Sequence, residues 1–319
     1  MPTLLITGGA GFIGGQTAKL ALKKGWSVRI FDNLSTSLAS KSSRLEELGA
    51  QVVIGDIRDT STVDAAVKKC DAVIHLAAQV SVPHSVKYPE ETFDINVRGT
   101  ENLLQACQTH GVSRFVMASS AAVYGTCDAF PLDEAHAGAF QSPYAESKWK
   151  NEQQVQMAKQ AGMEAVALRL FNVYGTGQRS EGAYAAVIPT FIEGAVDGKP
   201  PTVFGDGLQT RDFVHVDDVA DALLTVATEP WRAEFEHVYN VCTQTEVSLL
   251  DLLEMIHQVL ENVAPDIPRQ SPNHAKERPG DIARSVGSNA RLVRDTPWAP
   301  KVEFSKGLRL QIIDTIRNA

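Results

Sequence analysis

The sequence predicts an α/β fold: a parallel sheet wound on both faces by helices, joined to a smaller, irregular α/β lobe. Three observations carry this. The first half of the 319-residue chain alternates short apolar runs with longer amphipathic ones, the rhythm of successive strand–helix units. Those apolar runs lack period-two alternation, as strands buried on both faces do. Beyond about residue 175 the rhythm degrades, and Pro and Gly accumulate in GKPPTVFGDG (198–207).

Taken in order, TLLIT (3–7) reads as the first strand and Phe12 to Lys24 as the first helix. SVRIFD (27–32) and QVVIGD (51–56) are the second and third strands. A helix over 60–69 leads to the strand DAVIHLAA (71–78). A long helix fits 88–110, with Leu103, Leu104 and Cys107 on one face. RFVMAS (114–119) is a strand and 143–161 a helix beginning at Pro143. EAVALRLFNVYG (164–175) is a further strand with its exit loop. DFVHV (212–216) and a helix over 217–228 read as a return to the main sheet. The strand VYNVC (238–242), a helix over 248–261 and the loop 264–281 follow. The expected division is 1–172 with 208–242 as the main domain, and 173–207 with 243–319 as the second lobe. No internal repeat is visible.

Composition narrows the function classes. A net charge of −8 argues against nucleic acid or an anionic membrane as the main partner. No apolar run approaches the ~18 residues needed to span a bilayer, and the glycine-broken N-terminus is no signal peptide. Four cysteines, Cys70, Cys107, Cys127 and Cys242, lie far apart without a C-x-x-C pair. Reduced thiols in a cytoplasmic protein are the expectation, with no metal site.

Gly8-x-x-Gly11-x-x-Gly14 sits directly between the first strand and the first helix. Glycines there let backbone approach a pyrophosphate, while the helix N-terminus supplies N–H donors and a positive dipole end. A glycine triplet alone reads equally as a tight turn. Here it opens the first strand–helix unit, and Asp32 ends the second strand 18 residues past Gly14. An acidic group at that place takes adenosine ribose hydroxyls and repels a 2′-phosphate, so NAD is expected rather than NADP. The fold expectation is thereby Rossmann-type. Asp56 reads as an adenine cap or as a turn residue at a strand end.

Tyr144 and Lys148 stand four apart on one helix face. A free tyrosine, with a pKa of about 10, is a poor base at neutral pH. A neighbouring ammonium favours the phenolate and lowers that value. Ser120, at the end of the preceding strand, can hydrogen-bond the same reacting hydroxyl. A tyrosine and lysine at this spacing are usually structural. The upstream NAD loop and the intervening serine strand favour a catalytic set.

The motifs TGGAGFIG (7–14), HLAA (75–78), SSAAVYG (119–125), YAESK (144–148), RLFNVYG (169–175), QTRDF (209–213) and RPGD (278–281) occur in that order. The chain resembles the extended short-chain dehydrogenases, and among them the NAD-dependent nucleotide-sugar epimerase/dehydratase group. The resemblance implies Ser120, Tyr144 and Lys148 as catalytic residues. It implies Gly8, Gly11, Phe12, Ile13, Gly14, Asp32, Asn33, Asp56, Ile57, Leu76, Ala77, Ala78 and Asn96 along the cofactor, with Tyr144 and Lys148 touching it too. It implies Asn172, Arg211 and Arg278 on a nucleotide-sugar diphosphate, Asp281 on the ribose, Val187 and Phe204 beside uracil, and Ser81, Ser120 and Ser285 near the substrate. Forked guanidinium donors suit phosphate oxygens. A homodimer through the helices near 88–110 and 143–161 is implied as well.

In that group the opening step gives a 4-keto sugar. The dehydratases place Asp-Glu directly after the catalytic Ser or Thr, and the related uronate decarboxylases carry a Glu there. This chain has Ala121 and Ala122, neither of which can act as an acid or base. The expected reaction is therefore 4-epimerisation of a UDP-hexose. A small residue four past the RPGD aspartate admits an N-acetyl group in the resemblance. That position is Ser285, so UDP-GlcNAc/UDP-GalNAc is expected besides UDP-Glc/UDP-Gal. SVPHS (81–85) resembles the SVPRS of N-acetyl-accepting members, with His84 departing as a solvated loop histidine. The alternatives are a UDP-glucuronate 4-epimerase, a 4-keto-sugar reductase, which Asp32 disfavours, and a non-enzymatic nucleotide sensor, which the intact Ser120/Tyr144/Lys148 set disfavours.

Overall fold

The computed structural model describes residues 1–36, 39–178, 186–277 and 282–318. The elements in chain order are β1 (Thr3–Thr7), α1 (Phe12–Lys23), β2 (Ser27–Asp32), α2 (Ala39–Glu47), β3 (Gln51–Ile54), α3 (Thr60–Val67), β4 (Ala72–His75), α4 (Val82–Lys87) and α5 (Pro89–Phe93). A π-helical turn, Asp94–Arg98, joins α5 to α6 (Gly99–His110). Next come β5 (Arg114–Ser120), a 3₁₀ turn (Ala121–Tyr124), α7 (Pro143–Gln160), β6 (Glu164–Leu170), β7 (Asn172–Tyr174), α8 (Val187–Val196), β8 (Thr202–Phe204), β9 (Thr210–Arg211) and β10 (Phe213–His215). The chain ends with α9 (Val216–Thr228), β11 (Val238–Val241), β12 (Val247–Ser248), α10 (Leu249–Val263), β13 (Asn273–Ala275), α11 (Ala290–Asp295) and α12 (Phe304–Asn318).

Seven parallel strands form the main sheet in the order β11-β6-β5-β4-β1-β2-β3. The chain winds outward from β1 in one direction and from β4 in the other. The crevice at their carboxyl ends is therefore where a doubly wound sheet binds its ligand. Side chains of successive strand residues point to opposite faces. Leu4, Ile6, Ile74, Val116 and Leu168 meet α1 and α9 on one face. Leu5, Val73, Phe115 and Met117 meet α3 and α6 on the other. Each such fully buried side chain contributes roughly 1.5–3 kcal/mol. α1 presents small residues, Thr17, Ala18 and Ala21, to this core, and Gln16 and Lys24 bond to Asp217 and Asp221 of α9. A third core joins α8, α10 and α12 through Ile188, Ile192, Leu252, Ile256, Leu308 and Ile312.

Several expectations need correction. DFVHV does not return to the main sheet. Its strand β10 pairs with β7 in a separate two-stranded sheet, while its Val214 and the following helix α9 pack on the main core. The run 164–175 is likewise two strands in two sheets, broken at Phe171. The third strand stops at Ile54 and the fourth at His75, which leaves 55–56 and 76–79 as ligand-side loops. His84 is in helix α4, not a solvated loop, where it bonds Glu91 at 2.9 Å and packs on Tyr88. The loop 264–281 contains β13, paired with β8. Helices α2, α8, α11 and α12 are additions to the reading. Among the described residues, no helix is long and apolar enough to cross a membrane.

Candidate active site

The glycine loop is a cradle whose shape depends on absent side chains. Gly8 takes φ +65°, and a Cβ there would fall 2.7 Å from the Ala77 nitrogen. A Cβ on Gly14 would press on the Gly8 carbonyl and lie 2.7 Å from Gly9 Cα. Gly11 is the N-cap of α1 and provides no side-chain cap, so the first-turn N–H groups near Phe12 and Ile13 face the crevice without a side-chain acceptor. Asp32 braces this loop: its Oδ2 accepts from Ala10 N–H at 3.0 Å, and its Oδ1 from Leu34 N–H at 2.8 Å. A carboxylate has about four acceptor sites, so capacity remains for ribose hydroxyls. An uncapped helix end, a glycine cradle and a strand-end carboxylate fit the pyrophosphate and ribose of NAD.

The loop residues divide by what they present. Asp56 accepts from Arg58 N–H and Nε at 2.9 Å each. The Arg58 guanidinium holds its carboxyl down at about 2. Asn33 reaches Asp56 at 3.4 Å. Asp56 is thus a turn residue just past the end of β3, held by Arg58. Ile57 turns its side chain inward, where a Cβ on Gly99 would meet it at 2.5 Å, and Asn102 takes its carbonyl. Leu76 and Ala77 donate their N–H groups to Thr7 Oγ1 at 3.2 Å each. Ala78 continues that loop. Asn96, 1% exposed, clamps it to α7: it accepts from Gln79 N–H at 2.8 Å and donates to the Gln79 carbonyl and to Ser147 Oγ. The π turn also leaves the Asn96 carbonyl to accept from Thr100 and Asn151.

Behind this loop runs a buried chain unread in the sequence. Thr7 Oγ1 lies 2.6 Å from His75 Nδ1, and His75 Nε2 lies 3.0 Å from Thr100 Oγ1. Thr7 accepts two backbone N–H groups, so its own proton points to Nδ1 and the imidazole proton sits on Nε2. Burial, then the nearby Lys148 charge, pushes His75 down to about 3, so it is neutral.

The end of β5 meets one stripe of α7. Lys148 Nζ donates to the Ala118 carbonyl at 2.9 Å. Ser119 Oγ donates to Glu152. Ser120 Oγ accepts from Ala122 N–H at 3.2 Å, capping the 3₁₀ turn. Tyr144 is buried, and its N–H donates to Ser85 Oγ at 3.1 Å. Ser142 caps α7 by accepting from Ala145 N–H. Burial pushes Lys148 down to about 8, with Glu152 opposing. A lysine there is still mainly ammonium at neutral pH, beside a tyrosine on the same helix face. Lys148, on the helix that carries Tyr144, is thereby tied to the strand end that carries Ser120.

The residues expected on the substrate side lie on several elements of the second half of the chain and on α4. Asn172 opens β7 and donates to the Asp212 carbonyl at 3.1 Å. Arg211 in β9 donates to the Ile282 carbonyl at 2.6 Å. Val187 begins α8, and Phe204 ends β8, its carbonyl accepting from Gln209. Ser81 caps α4 by accepting from His84 N–H. Ser285 is buried, just before the segment whose Val286 and Ser288 pair with Leu132. Arg278 and Asp281 lie outside the described residues. Asp212, next to Arg211, was not anticipated. Its buried carboxylate accepts from Thr243 N–H and Oγ1, Gln244 N–H and Gly287 N–H, fixing three segments next to Arg211.

Comparison with known proteins agrees with this geometry. The NAD dependent epimerase/dehydratase family model matches residues 4–242. The UDP-glucose 4-epimerase of Mycolicibacterium smegmatis is 34% identical over 322 residues, covering 98% of this chain and 98% of its own. The structure of UDP-N-acetylglucosamine 4-epimerase from Methanobrevibacter ruminantium, in complex with UDP-N-acetylmuramic acid, matches with a TM-score of 0.92 at 31% identity, over 100% of this chain and 99% of that one. The Thermus thermophilus UDP-glucose 4-epimerase in complex with NAD matches at 0.86 and 34% identity, over 99% of each chain. A family model covering most of the chain and relatives matched end to end give one answer: the chain belongs to the NAD-dependent epimerase/dehydratase family.

Proposed function

We propose that the chain is an isomerase, an NAD-dependent 4-epimerase of UDP-hexoses that works through a transient 4-keto sugar. One observation carries the choice of reaction. Ser120 ends the strand that Lys148 touches, and the two residues that follow it and open the 3₁₀ turn, Ala121 and Ala122, carry no acid or base. An eliminating enzyme needs such a group at that edge; an epimerase does not.

NAD, which Gly8, Gly11, Gly14 and Asp32 would hold, would supply a hydride acceptor able to give the hydride back. The chain's residues handle the proton and the geometry. Tyr144, as phenolate, takes the proton from the sugar 4-hydroxyl and later returns it. Lys148 ammonium makes that phenolate accessible near neutral pH, and Ser120 hydrogen-bonds the same sugar oxygen. Arg211 and Asn172, with Arg278 and Asp281 from the resemblance, hold the UDP portion and leave the sugar free to turn over. Ala121 and Ala122 offer no group to divert the ketone, which would be free to present its other face, so no net redox change would accumulate.

Ser285 supports acceptance of N-acetylated sugars: it is a short side chain at a buried position, where the resemblance expects a small residue to admit the N-acetyl group. Exposed Tyr88 and Met157, at the start of α5 and on α7, support a homodimer through those helices. The test incubates purified protein with UDP-Glc, UDP-Gal, UDP-GlcNAc, UDP-GalNAc and UDP-glucuronate and resolves the C4 epimers. Conversion of the first four is expected. A 4-keto-6-deoxy product would reject epimerisation, and an inert N-acetyl pair would reject the role of Ser285.

A further inference from the structure

The α7 stripe carries a third polar residue. Glu152 stands one turn beyond Lys148 and two beyond Tyr144, so all three face the end of β5. Its carboxylate is 2% exposed and accepts three hydrogen bonds. Ser119 Oγ donates to it, Arg169 Nε donates to Oε1 at 2.9 Å, and an Arg169 terminal nitrogen donates to Oε2 at 2.8 Å. Arg169 sits opposite Ser119 across the β5–β6 ladder. Its guanidinium lies 4.8 Å over the Tyr124 ring and donates to the Glu134 carbonyl. Tyr124 closes the 3₁₀ turn that starts immediately after Ser120. Fold stability is a poor reason for this pair, since packed apolar side chains of similar volume serve a core as well or better.

We propose that Glu152 is a positioning residue of this centre: it ties the Ser119–Ser120 edge and the Ala121–Tyr124 turn to the helix bearing Tyr144 and Lys148, and it is the counter-charge for the Lys148 ammonium. The first role follows from the bonds above. The second follows from what faces Lys148. Its own helix offers Tyr144 and Glu152, β4 offers neutral His75, and Arg169 of β6 lies beyond the carboxylate. Burial drives the Lys148 proton off and Glu152 opposes this. Without the carboxylate, two buried cations remain with no anion between them, and Lys148 loses its proton at lower pH.

The inference rests on the epimerase reading for its kinetic test. Glu152→Gln keeps the shape and one acceptor. It is expected to fold, to lower kcat by about tenfold near neutral pH with KM little changed, and to move the alkaline limb of kcat down by at least about half a pH unit. The double variant Glu152→Gln/Arg169→Met removes both buried charges and guards against a folding failure. It is expected to keep the kcat loss, because Ser119 and Lys148 still lack the carboxylate. A wild-type kcat and pH profile in either folded variant would overturn the proposal, as would a loss confined to KM. A second measurement needs no turnover: ultraviolet titration of the Tyr144 phenolate, read against Tyr144→Phe, in NAD-free and NAD-loaded protein. The midpoint is expected to rise in Glu152→Gln, because the lost Lys148 charge is one turn from Tyr144 and the removed carboxylate two. An unmoved midpoint rejects the role of Glu152. A wild-type protein that titrates as expected yet converts no UDP-hexose rejects the epimerase reading alone.

Discussion

Lys148 shows how a single residue trades stability for chemistry. Its ordinary value is 10.5 and burial brings it to about 8. A cation whose folded value is depressed costs the fold stability at every pH below that folded value. The cost shrinks between about 8 and 10.5 and vanishes above. At neutral pH it is on the order of 3 kcal/mol. NAD-free Lys148→Met is therefore expected to melt higher than wild type at pH 7, with the gain narrowing as pH rises through that window. Scanning calorimetry at several pH values checks this; a gain independent of pH would show that packing, not charge, had changed. The same variant is expected to lose activity, because its Tyr144 has no ammonium beside it. Tyr144→Phe is expected to lower kcat by at least ~100-fold, the usual scale for a positioned acid–base group, while leaving the thermal midpoint nearly unchanged. A C4-epimer assay and a melt on one preparation test both statements.

At the scale of elements, the β1–α1 turn is defined by what it cannot hold. Gly14→Ala would push a methyl into the Gly8 carbonyl and against Gly9 Cα, both backbone atoms that cannot swing aside. The loop must open, so NAD affinity is expected to fall by at least about tenfold, beyond the ~1–3 kcal/mol that overpacking costs the fold. Isothermal titration with NAD measures it. This turn was readable because its message is local: three glycines, a strand before, a helix after. Tyr144 and Lys148 were readable for the same reason, a spacing of four on one helix. Glu152 and Arg169 were not. A charge in mid-helix or mid-strand reads as solvated by default, and here burial depends on β6 lying beside β5, a pairing that neither segment encodes alone. DFVHV failed for a related reason. A short apolar run announces a strand without naming its partner, and Phe213–His215 found Asn172–Tyr174 off the main sheet.

The whole molecule is held together by α9. On one side it packs against α1; on the other the Asp218 carboxylate accepts from the N–H groups of Lys301 and Val302 at 3.0 Å each. Its carbonyl accepts from the buried Trp298 indole at 2.9 Å. That segment leads directly into α12, part of the third core. Asp218→Ala leaves two backbone donors without partners and is expected to cost about 2–4 kcal/mol, read as a lower urea midpoint. Twice the 34.6 kDa chain mass is expected from light scattering if the homodimer reading holds; a monomer would reject it.

The packing of α1 on α9 has a kinetic consequence. The helix whose N-terminus is proposed to cradle the cofactor leans on the helix that clasps residues 298–302. Ligand that binds only the closed arrangement suppresses the transient openings of everything that must open with it. Deuterium uptake at Trp298, Lys301 and Val302 is therefore expected to slow when NAD is added. These amides lie near the other end of the chain from the glycine loop, and they would serve as remote gauges of its occupancy.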